Sequence, residues 1–447
     1  MNRQQLQSEF ETRGIRRVKV GGFDIDGVLR GKYLSLEKFW SALDEDFGFC
    51  DVIFGWDIAD RLYDNGRLSG WEHGYPDIRA RIDPRSFRVA PTEAHTAHFL
   101  LDFWTAERKP YPACPRNLLK SVQARLEAAG FQPRCAIELE FWVFKNPPYS
   151  REGGGVETLS EGMCGYSWLR AGQHRGFVAH TLDFFAAYGV EIEGMHTETG
   201  PGVWEVALRY ENALEAADRA ALFKTLFKQL CSDYGYSVTF MAKWNAELPG
   251  SSGHMHQSLW DSSGSRNLFA PEGKGEALSS LGKHYLAGQS ALLPEMAIFY
   301  APFVNSYRRY VPGVWAPLNN AWGVENRTCA FRIVGSPSAT ATRIESRQAG
   351  ADLHPHIALA SALASGLYGI EQALEPSAAI QGDAQDRGEA LPSTLEAALE
   401  KARASTLLPT LLGDAFVDHY LRTREWELGQ AKRAVSDWEL RRYFEAV

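Results

Sequence analysis

Apolar and polar residues alternate in short runs over the first hundred positions, and the period lengthens beyond them. Residues 1–13 carry helical spacing. Val18-Lys19-Val20 then leads through Phe23-Asp24-Ile25-Asp26-Gly27-Val28-Leu29, where Asp26-Gly27 between apolar alternations signals a hairpin. Residues 35–45 read as helix, and the turn-rich stretch 50–105 carries short strands such as 97–101. Lys109-Pro110-Tyr111-Pro112 breaks the pattern, so residues 1–107 are expected to form a small, mostly β domain and 108–447 a larger one. After Pro115, Leu119, Val122 and Leu126 form one helical stripe stopped by Gly130, and 134–144 reads as a strand. Helices are predicted at about 172–188, 211–232 and 277–294, with strands at 190–193, 238–243 and 342–347. Residues 349–374 read as an Ala-rich helix interrupted by Gly366 and Gly369, and 375–392 as loop. The rest is helical, with a capping box at Ser436-Asp437-Trp438-Glu439. Residues 145–165 form a loop whose Gly153-Gly154-Gly155 lacks a following Gly-Lys-Ser/Thr, so it reads as a surface loop and not a phosphate cradle. Interleaved helices and strands give an α+β class.

Length and charge narrow the functions available. A chain of 447 residues exceeds one ordinary core. A net charge of −8, with no Lys/Arg-rich run, argues against nucleic acid as the main partner. No stretch reaches the roughly 18–20 apolar residues of a membrane helix, and the polar start Met1-Asn2-Arg3-Gln4-Gln5 lacks the apolar core of a signal peptide. Six scattered cysteines without a Cys-x-x-Cys pair fit a reducing cytoplasm better than structural zinc or a disulfide framework.

Five stretches carry candidate chemistry. In Thr342-Arg343-Ile344-Glu345-Ser346-Arg347 a strand would set Arg343, Glu345 and Arg347 on one face, a carboxylate between two guanidinium forks. Glu138 and Glu140 likewise share a face, with Ile137, Leu139 and Phe141 on the other. Glu198 and Glu205 flank Gly200-Pro201-Gly202, whose turn would fold both toward one point; His196 beside them reads as structural. His254 and His256 share a face after a Gly/Ser loop, and Arg309, Arg327, Arg332, Arg343 and Arg347 fall within forty residues. Each stretch alone also fits a solvated strand, a hairpin or a surface ion-pair network. Together they combine hard-metal ligands with phosphate grips, as two divalent ions bridging phosphate oxygens would require.

In order along the chain, these motifs resemble the glutamine synthetase superfamily. The resemblance rests on Asp-x-x-Gly at 24–27, Glu138-Leu139-Glu140-Phe141, the His196 to Glu205 stretch, Thr239-Phe240-Met241-Ala242-Lys243 and His254-x-His256-x-Ser258. It continues through Asn305-Ser306-Tyr307-x-Arg309, Ala316-Pro317, Asn326-Arg327-Thr328 and Arg343-Ile344-Glu345-x-Arg347. It implies an N-terminal β-grasp domain, a larger catalytic domain and a homo-oligomeric ring, dodecamer or hexamer, with active sites between neighbours. It also implies two or more Mg²⁺ or Mn²⁺ ions per site and ATP as substrate. Glu140, Glu198 and Glu205 would hold one ion; Glu138, His254 and Glu345 the other. His256, Ser258, Arg332 and Arg343 would contact ATP, and Arg327 the transferring phosphate. Gly250, Arg309 and Arg347 would hold the acid substrate, and Asp57 would act on the amine across the subunit boundary. The implied reaction phosphorylates a carboxylate, and an amine then displaces phosphate.

The departures bear on the amine. Family glutamine synthetases carry Glu before Ala-Pro on a flap over the site; here that residue is Trp315, whose indole cannot accept a proton but offers a face to an alkyl or aromatic amine. Pro249 stands in place of Asn, Val203 in place of Gln, and His354-Pro355-His356 in place of Asn-Pro-Tyr, and 375–392 shows no match to the adenylylation loop. These changes resemble the γ-glutamyl-amine ligase branch. An alternative keeps ammonia and uses glutamate or a longer homologue, as Pro249 and Val203 would allow. A non-catalytic member like the lens relative should have lost metal ligands, and all six implied positions are filled here.

Overall fold

The computed structural model describes residues 1–146 and 156–447, so the Gly153 to Gly155 loop lies outside the described residues. Helix α1 (Arg3–Arg13) opens on a capping box between Asn2 and Gln5 and closes on left-handed Gly14. Strands β1 (Arg17–Phe23) and β2 (Leu29–Leu34) form the expected hairpin. The Asp24 carboxylate closes its turn, accepting from the Asp26 and Val28 N–H groups at 3.0 and 2.8 Å. Helix α2 (Leu36–Glu45) precedes β3 (Phe47–Cys50), β4 (Asp77–Ile82), β5 (Arg88–Val89) and β6 (Thr96–Trp104). Their order is β2-β1-β6-β4-β3, with β5 beside β6 and the β1–β6 pair parallel. An aromatic layer under α1 and α2 seals one face: the Phe39 ring lies 5.3 Å from Phe10 and 4.9 Å from Phe99.

The second sheet has nine strands: β7 (Phe131–Phe144), β8 (Ile192–Thr197), β9 (Val203–Leu208), β10 (Glu211–Asn212), β11 (Ser237–Thr239), β12 (Gly253–Asp261), β13 (Trp322–Val324), β14 (Phe331–Val334) and β15 (Arg343–Ser346). Its order is β13-β14-β15-β12-β7-β9-β8, with β10 and β11 each pairing β7. The helices between are α3 (Pro115–Ala128), α4 (Trp168–Gln173), α5 (Arg175–Tyr188), α6 (Ala213–Asp233), α7 (Ser280–Tyr300) and α8 (Pro355–Glu371). Ile137, Leu139 and Phe141 turn toward this helical layer, the Phe141 ring 4.6 Å from Phe227. Glu138 and Glu140 therefore face the other way. Helices continue to the C-terminus, and the capping box at Ser436 and Glu439 forms.

Several boundaries differ from the sequence reading. The helix expected over 172–188 breaks at His174 into α4 and α5. The strand expected from 190 starts at Ile192, because the Val190 N–H is spent on the Phe185 carbonyl in the helix cap at left-handed Gly189. The strand expected over 238–243 stops at Thr239, whose hydroxyl takes the Met241 N–H while Asn305 takes that of Lys243. Helix α7 runs past Pro294, because the Ser290 carbonyl that the proline leaves without a helical donor accepts from Asn320 Nδ2 at 3.0 Å. The helix expected from 349 begins at Pro355: the Ala351 N–H bonds the Ser251 carbonyl instead, and that of Gly253 the Ala349 carbonyl. Gly366 and Gly369 do not interrupt α8. They let α7 approach, since a Cβ on Gly369 would lie 2.2 Å from the His284 carbonyl and one on Gly366 2.1 Å from the Tyr285 ring.

Buried ion pairs tie the two sheets together. Arg116 on α3 reaches Asp102 at 2.6 Å and Asp83 at 2.9 Å beside the first sheet, and Asp218 on α6 at 2.8 Å; His356 adds a contact to Asp218 at 2.8 Å. At the hairpin turn, Asp26 pairs with Arg424, and His354 Nε2 lies 3.1 Å from the Asp24 carbonyl oxygen.

Candidate active site

Strand register assembles the site. Arg332 on β14 stands opposite Glu345 on β15, which stands opposite His256 on β12. One alternation away His254 pairs with Glu138 on β7, and beyond it Glu140 pairs with Glu205 on β9, itself opposite His196 on β8. Because side chains alternate, these eight residues project from the sheet face opposite the helices. Residues from six strands thus form one polar surface over an apolar layer.

Two groups of ligand atoms converge there. In Glu138, His256 and Glu345 the atoms lie within 4.8 Å of one another, and so do those of His196, Glu198 and Glu205. His254 Nδ1 also lies 3.5 Å from Glu138 and 3.4 Å from Glu345. The first group therefore brings His256 as close as the expected His254. In the second, Glu140 instead turns Oε2 to the Ser252 N–H at 2.6 Å, and its place is taken by His196, 3.3 Å from Glu205. His196, read as structural from sequence, also stacks on the Tyr166 ring at 4.4 Å. Its two-residue spacing from Glu198 was the available signal. The partner Glu205 was hidden in the cross-strand register.

Electrostatics keeps the face poised for cations. Burial disfavours a charge on Glu138, yet His256 and His254 beside it hold the carboxyl well below its usual range. Glu345 is buried too, and His254 and Arg347 keep it at about 2. Glu140 goes the other way: burial and the neighbouring Glu205 raise it. His196 is raised, as the hydrogen bond and charge of Glu205 outweigh burial. Hard carboxylate oxygens with imidazole nitrogens suit divalent ions; His256 Nε2 already lies 3.0 Å from Glu138 Oε1, and among the described residues the buried His254 Nε2 has no hydrogen-bond partner, so the donor set fits such ions.

Arginines rim the pair of clusters. Arg332 bonds Glu345 at 3.1 Å and also Glu325; Arg347 bonds Glu345; Arg343 Nε donates to His256 Nδ1 at 3.1 Å. Ser258 follows His256 on the same strand face and accepts from Trp260 Nε1. Arg309 is buried, its fork fixed on the Gln348 and Arg347 carbonyls and Ser252 Oγ at 3.0, 3.1 and 3.0 Å, against Gly250. Arg327 is exposed before β14, within electrostatic reach of Tyr166 and Glu325. Two expected residues stand apart. Trp315 is 69% exposed on the loop after Arg309, and Asp57 lies beside the first sheet, its carboxylate accepting from the Ala59 and Arg61 N–H groups.

Residues 112–443 match the family described as glutamine synthetase, catalytic domain. The chain is 43% identical over 439 residues to type-1 glutamine synthetase 2 of Dictyostelium discoideum, covering 96% of this chain and 84% of that protein. It is 36% identical over 453 residues to the glutamate–isopropylamine ligase of a Pseudomonas species, covering 99% and 98%. With the γ-glutamylethanolamide synthetase GlnA4 of Streptomyces coelicolor it shares 36% over 429 residues, covering 95% and 91%. The ligand-free structure of GmaS superposes with a TM-score of 0.85 at 26% identity, covering 98% of this chain and 99% of that one.

Proposed function

The chain belongs to the glutamine synthetase family of ATP-dependent carbon–nitrogen ligases, and on that premise we propose that it joins the side-chain carboxylate of glutamate, or a close analogue, to an amine other than ammonia. One observation carries the choice of amine. From Tyr307 to Asn320 the flap has no acidic residue, and Trp315 stands exposed where a carboxylate would be needed for ammonium. The ligase names of the Pseudomonas and Streptomyces relatives support the same reading.

Divalent ions held by Glu138, Glu140, Glu198, Glu205, His254 and Glu345, Mg²⁺ or Mn²⁺ by ligand type, would neutralise charge on the phosphate and acyl oxygens. His196 and His256 lie close enough to share that work. Arg343 and Arg332 face the ATP phosphates with His256 and Ser258, and Arg327 meets the group in transfer. Arg309, already fixed by backbone carbonyls, and Arg347 present guanidinium groups to the substrate carboxylates without a reorganisation cost. The glutamate carboxylate oxygen attacks the γ-phosphorus and ADP leaves; the neutral amine then attacks the acyl carbon and phosphate departs. Asp57 of an adjacent subunit takes the amine proton in a homo-oligomeric ring. Residues 1–107 form the β-grasp unit that delivers it, and the enzyme works in the cytoplasm.

A second reading keeps ammonia as the amine, and the 43% identity to a protein named glutamine synthetase favours it. Phosphate release from ATP separates the two across glutamate and 2-aminoadipate, each with ammonia, ethanolamine, isopropylamine, putrescine, spermine or aniline. Glutamate with an organic amine exceeding ammonia at least ~10-fold in kcat/KM is the expected result. Ammonia as the best amine would overturn the proposal.

A further inference from the structure

One side chain from outside reaches three residues of the loop that carries Asp57. Arg30 on β2 donates from Nε to Asp24 Oδ2 at 2.8 Å, from Nη1 to Asp60 Oδ1 at 2.6 Å and from Nη2 to the Asp57 carbonyl at 3.4 Å. Its guanidinium carbon lies 5.0 Å from the centre of the Trp56 ring. A single fork therefore touches Trp56, Asp57 and Asp60 of one loop and anchors them on the hairpin.

That anchor is firm. Asp24 is buried, its other oxygen closes the hairpin turn on the Asp26 and Val28 N–H groups, and its carbonyl meets His354 at the start of α8. The loop, in contrast, contains strain. Asp60 adopts a left-handed φ of 61°, a conformation that a non-glycine residue keeps when its surroundings offset the steric cost. Arg30 holds that residue's carboxylate. Within the loop, Asp57 spends Oδ1 on the Ala59 and Arg61 N–H groups at 2.8 Å each, while among the described residues Oδ2 accepts no hydrogen bond. The arrangement leaves one carboxylate oxygen of the largely buried Asp57 uncommitted, while its partner oxygen and the backbone carbonyl are held.

We infer that Arg30 is a positioning residue for the amine half of the reaction: it holds the Asp57 loop so that the carboxylate meets the incoming amine, and takes no part in activating the acid. The inference rests on the assignment of Asp57 to the amine. Lysine in place of Arg30 would keep the charge but lose the three-way fork.

The test is Arg30→Lys in the full-length enzyme, with Asp57→Asn beside it. Two reactions are followed. One is amide formation with the best amine. The other is amine-free turnover, in which the α-amine of the γ-glutamyl phosphate attacks its own acyl carbon and expels phosphate, giving 5-oxoproline, ADP and phosphate. For Arg30→Lys the expected result is an amine KM raised ~10-fold or more, with 5-oxoproline formation and the KM values for glutamate and ATP within ~2-fold of the parent. Asp57→Asn is expected to raise the amine KM as well. If it does so while Arg30→Lys does not, the positioning role is wrong and the Asp57 assignment survives. If Asp57→Asn leaves the amine KM unchanged, the assignment fails and the inference with it. Equal losses of both reactions in Arg30→Lys would show a general structural role and overturn the inference.

Discussion

Gly250 is the position where one methyl group should separate acid binding from nucleotide binding. A Cβ there would lie 2.6 Å from the Ala242 carbonyl oxygen and 2.9 Å from Arg309 Cγ. The carbonyl cannot yield easily, because it already accepts from the Ser251 N–H at 2.9 Å. Arg309 must therefore move by roughly half an ångström to restore ordinary contact, yet three hydrogen bonds fix its guanidinium. Overpacking of this kind costs about 1–3 kcal/mol of stability, and a misplacement of about 1 Å in a substrate-positioning group costs about 10²-fold in rate. Half that displacement predicts a loss of about 10-fold in kcat/KM for glutamate, near 1.4 kcal/mol. The KM for ATP should stay within about 2-fold, because Arg309 touches none of the residues assigned to the phosphates. Initial rates of ADP formation with glutamate varied at saturating ATP and amine, together with a melting curve, measure both effects. A Gly250→Ala enzyme with parental glutamate kcat/KM would refute the reasoning. So would one in which ATP and glutamate suffer equally.

Arg116→Met should destabilise strongly, by about 3–5 kcal/mol, since it leaves Asp83, Asp102 and Asp218 buried together around Lys120 and His356. The pH dependence has a definite sign. Burial opposes ionisation of Asp83 and Asp218, but Arg85 and Arg116 hold Asp83, and Arg116 and His356 hold Asp218, well below the ordinary 3.8. A depressed native value gives stability that is complete above about pH 4 and lost on acidification, so melting temperature in the parent should fall more steeply below pH 4 than in Arg116→Met. Gly369→Ala gains about 1 kcal/mol of helix propensity but drives its methyl into the backbone of α7, 2.2 Å from the His284 carbonyl oxygen; a lower melting temperature is expected, and a rise would show that α7 and α8 can separate cheaply. Mn²⁺ titrated into the enzyme at neutral pH should raise the melting temperature in proportion to RT ln(1 + [Mn²⁺]/Kd), and Glu138→Gln should remove the share of that rise contributed by the Glu138, His254 and Glu345 site while leaving the other.

How much of this was legible in the chain depended on whether the information was local. Period-two alternation placed Glu138 and Glu140 opposite Ile137, Leu139 and Phe141, and the structure keeps that division. The hairpin at Asp26-Gly27 and the capping box at Ser436 are equally local, and both formed. The larger errors fell where a residue's backbone or side chain is claimed by a distant partner. Pro294 should have stopped α7, and only Asn320, with its amide on the Ser290 carbonyl, explains why it does not. Gly366 and Gly369 looked like breaks in a helix; they are the surface against which another helix closes, and no pattern within α8 contains α7.

The same division explains the site. His196 and Glu198 are two residues apart, so their common face could be read, but His196 becomes part of a cluster only because β8 pairs with β9 in the register that sets it opposite Glu205. A slip of one residue would send His196 to the other face. Register is therefore the quantity that converts scattered motifs into two groups of ligands, and the helical layer guards it against a one-residue slip: Trp204 and Val206, the buried neighbours of Glu205 on β9, would then lose their apolar cover. At roughly 1.5–3 kcal/mol for each large apolar side chain kept from water, two such residues oppose the repulsion that sets in when Glu205 lies beside Glu140. The carboxylates do not choose their arrangement. The apolar residues on the opposite face choose it, and the resulting repulsion between acids is the feature a pair of divalent ions would relieve.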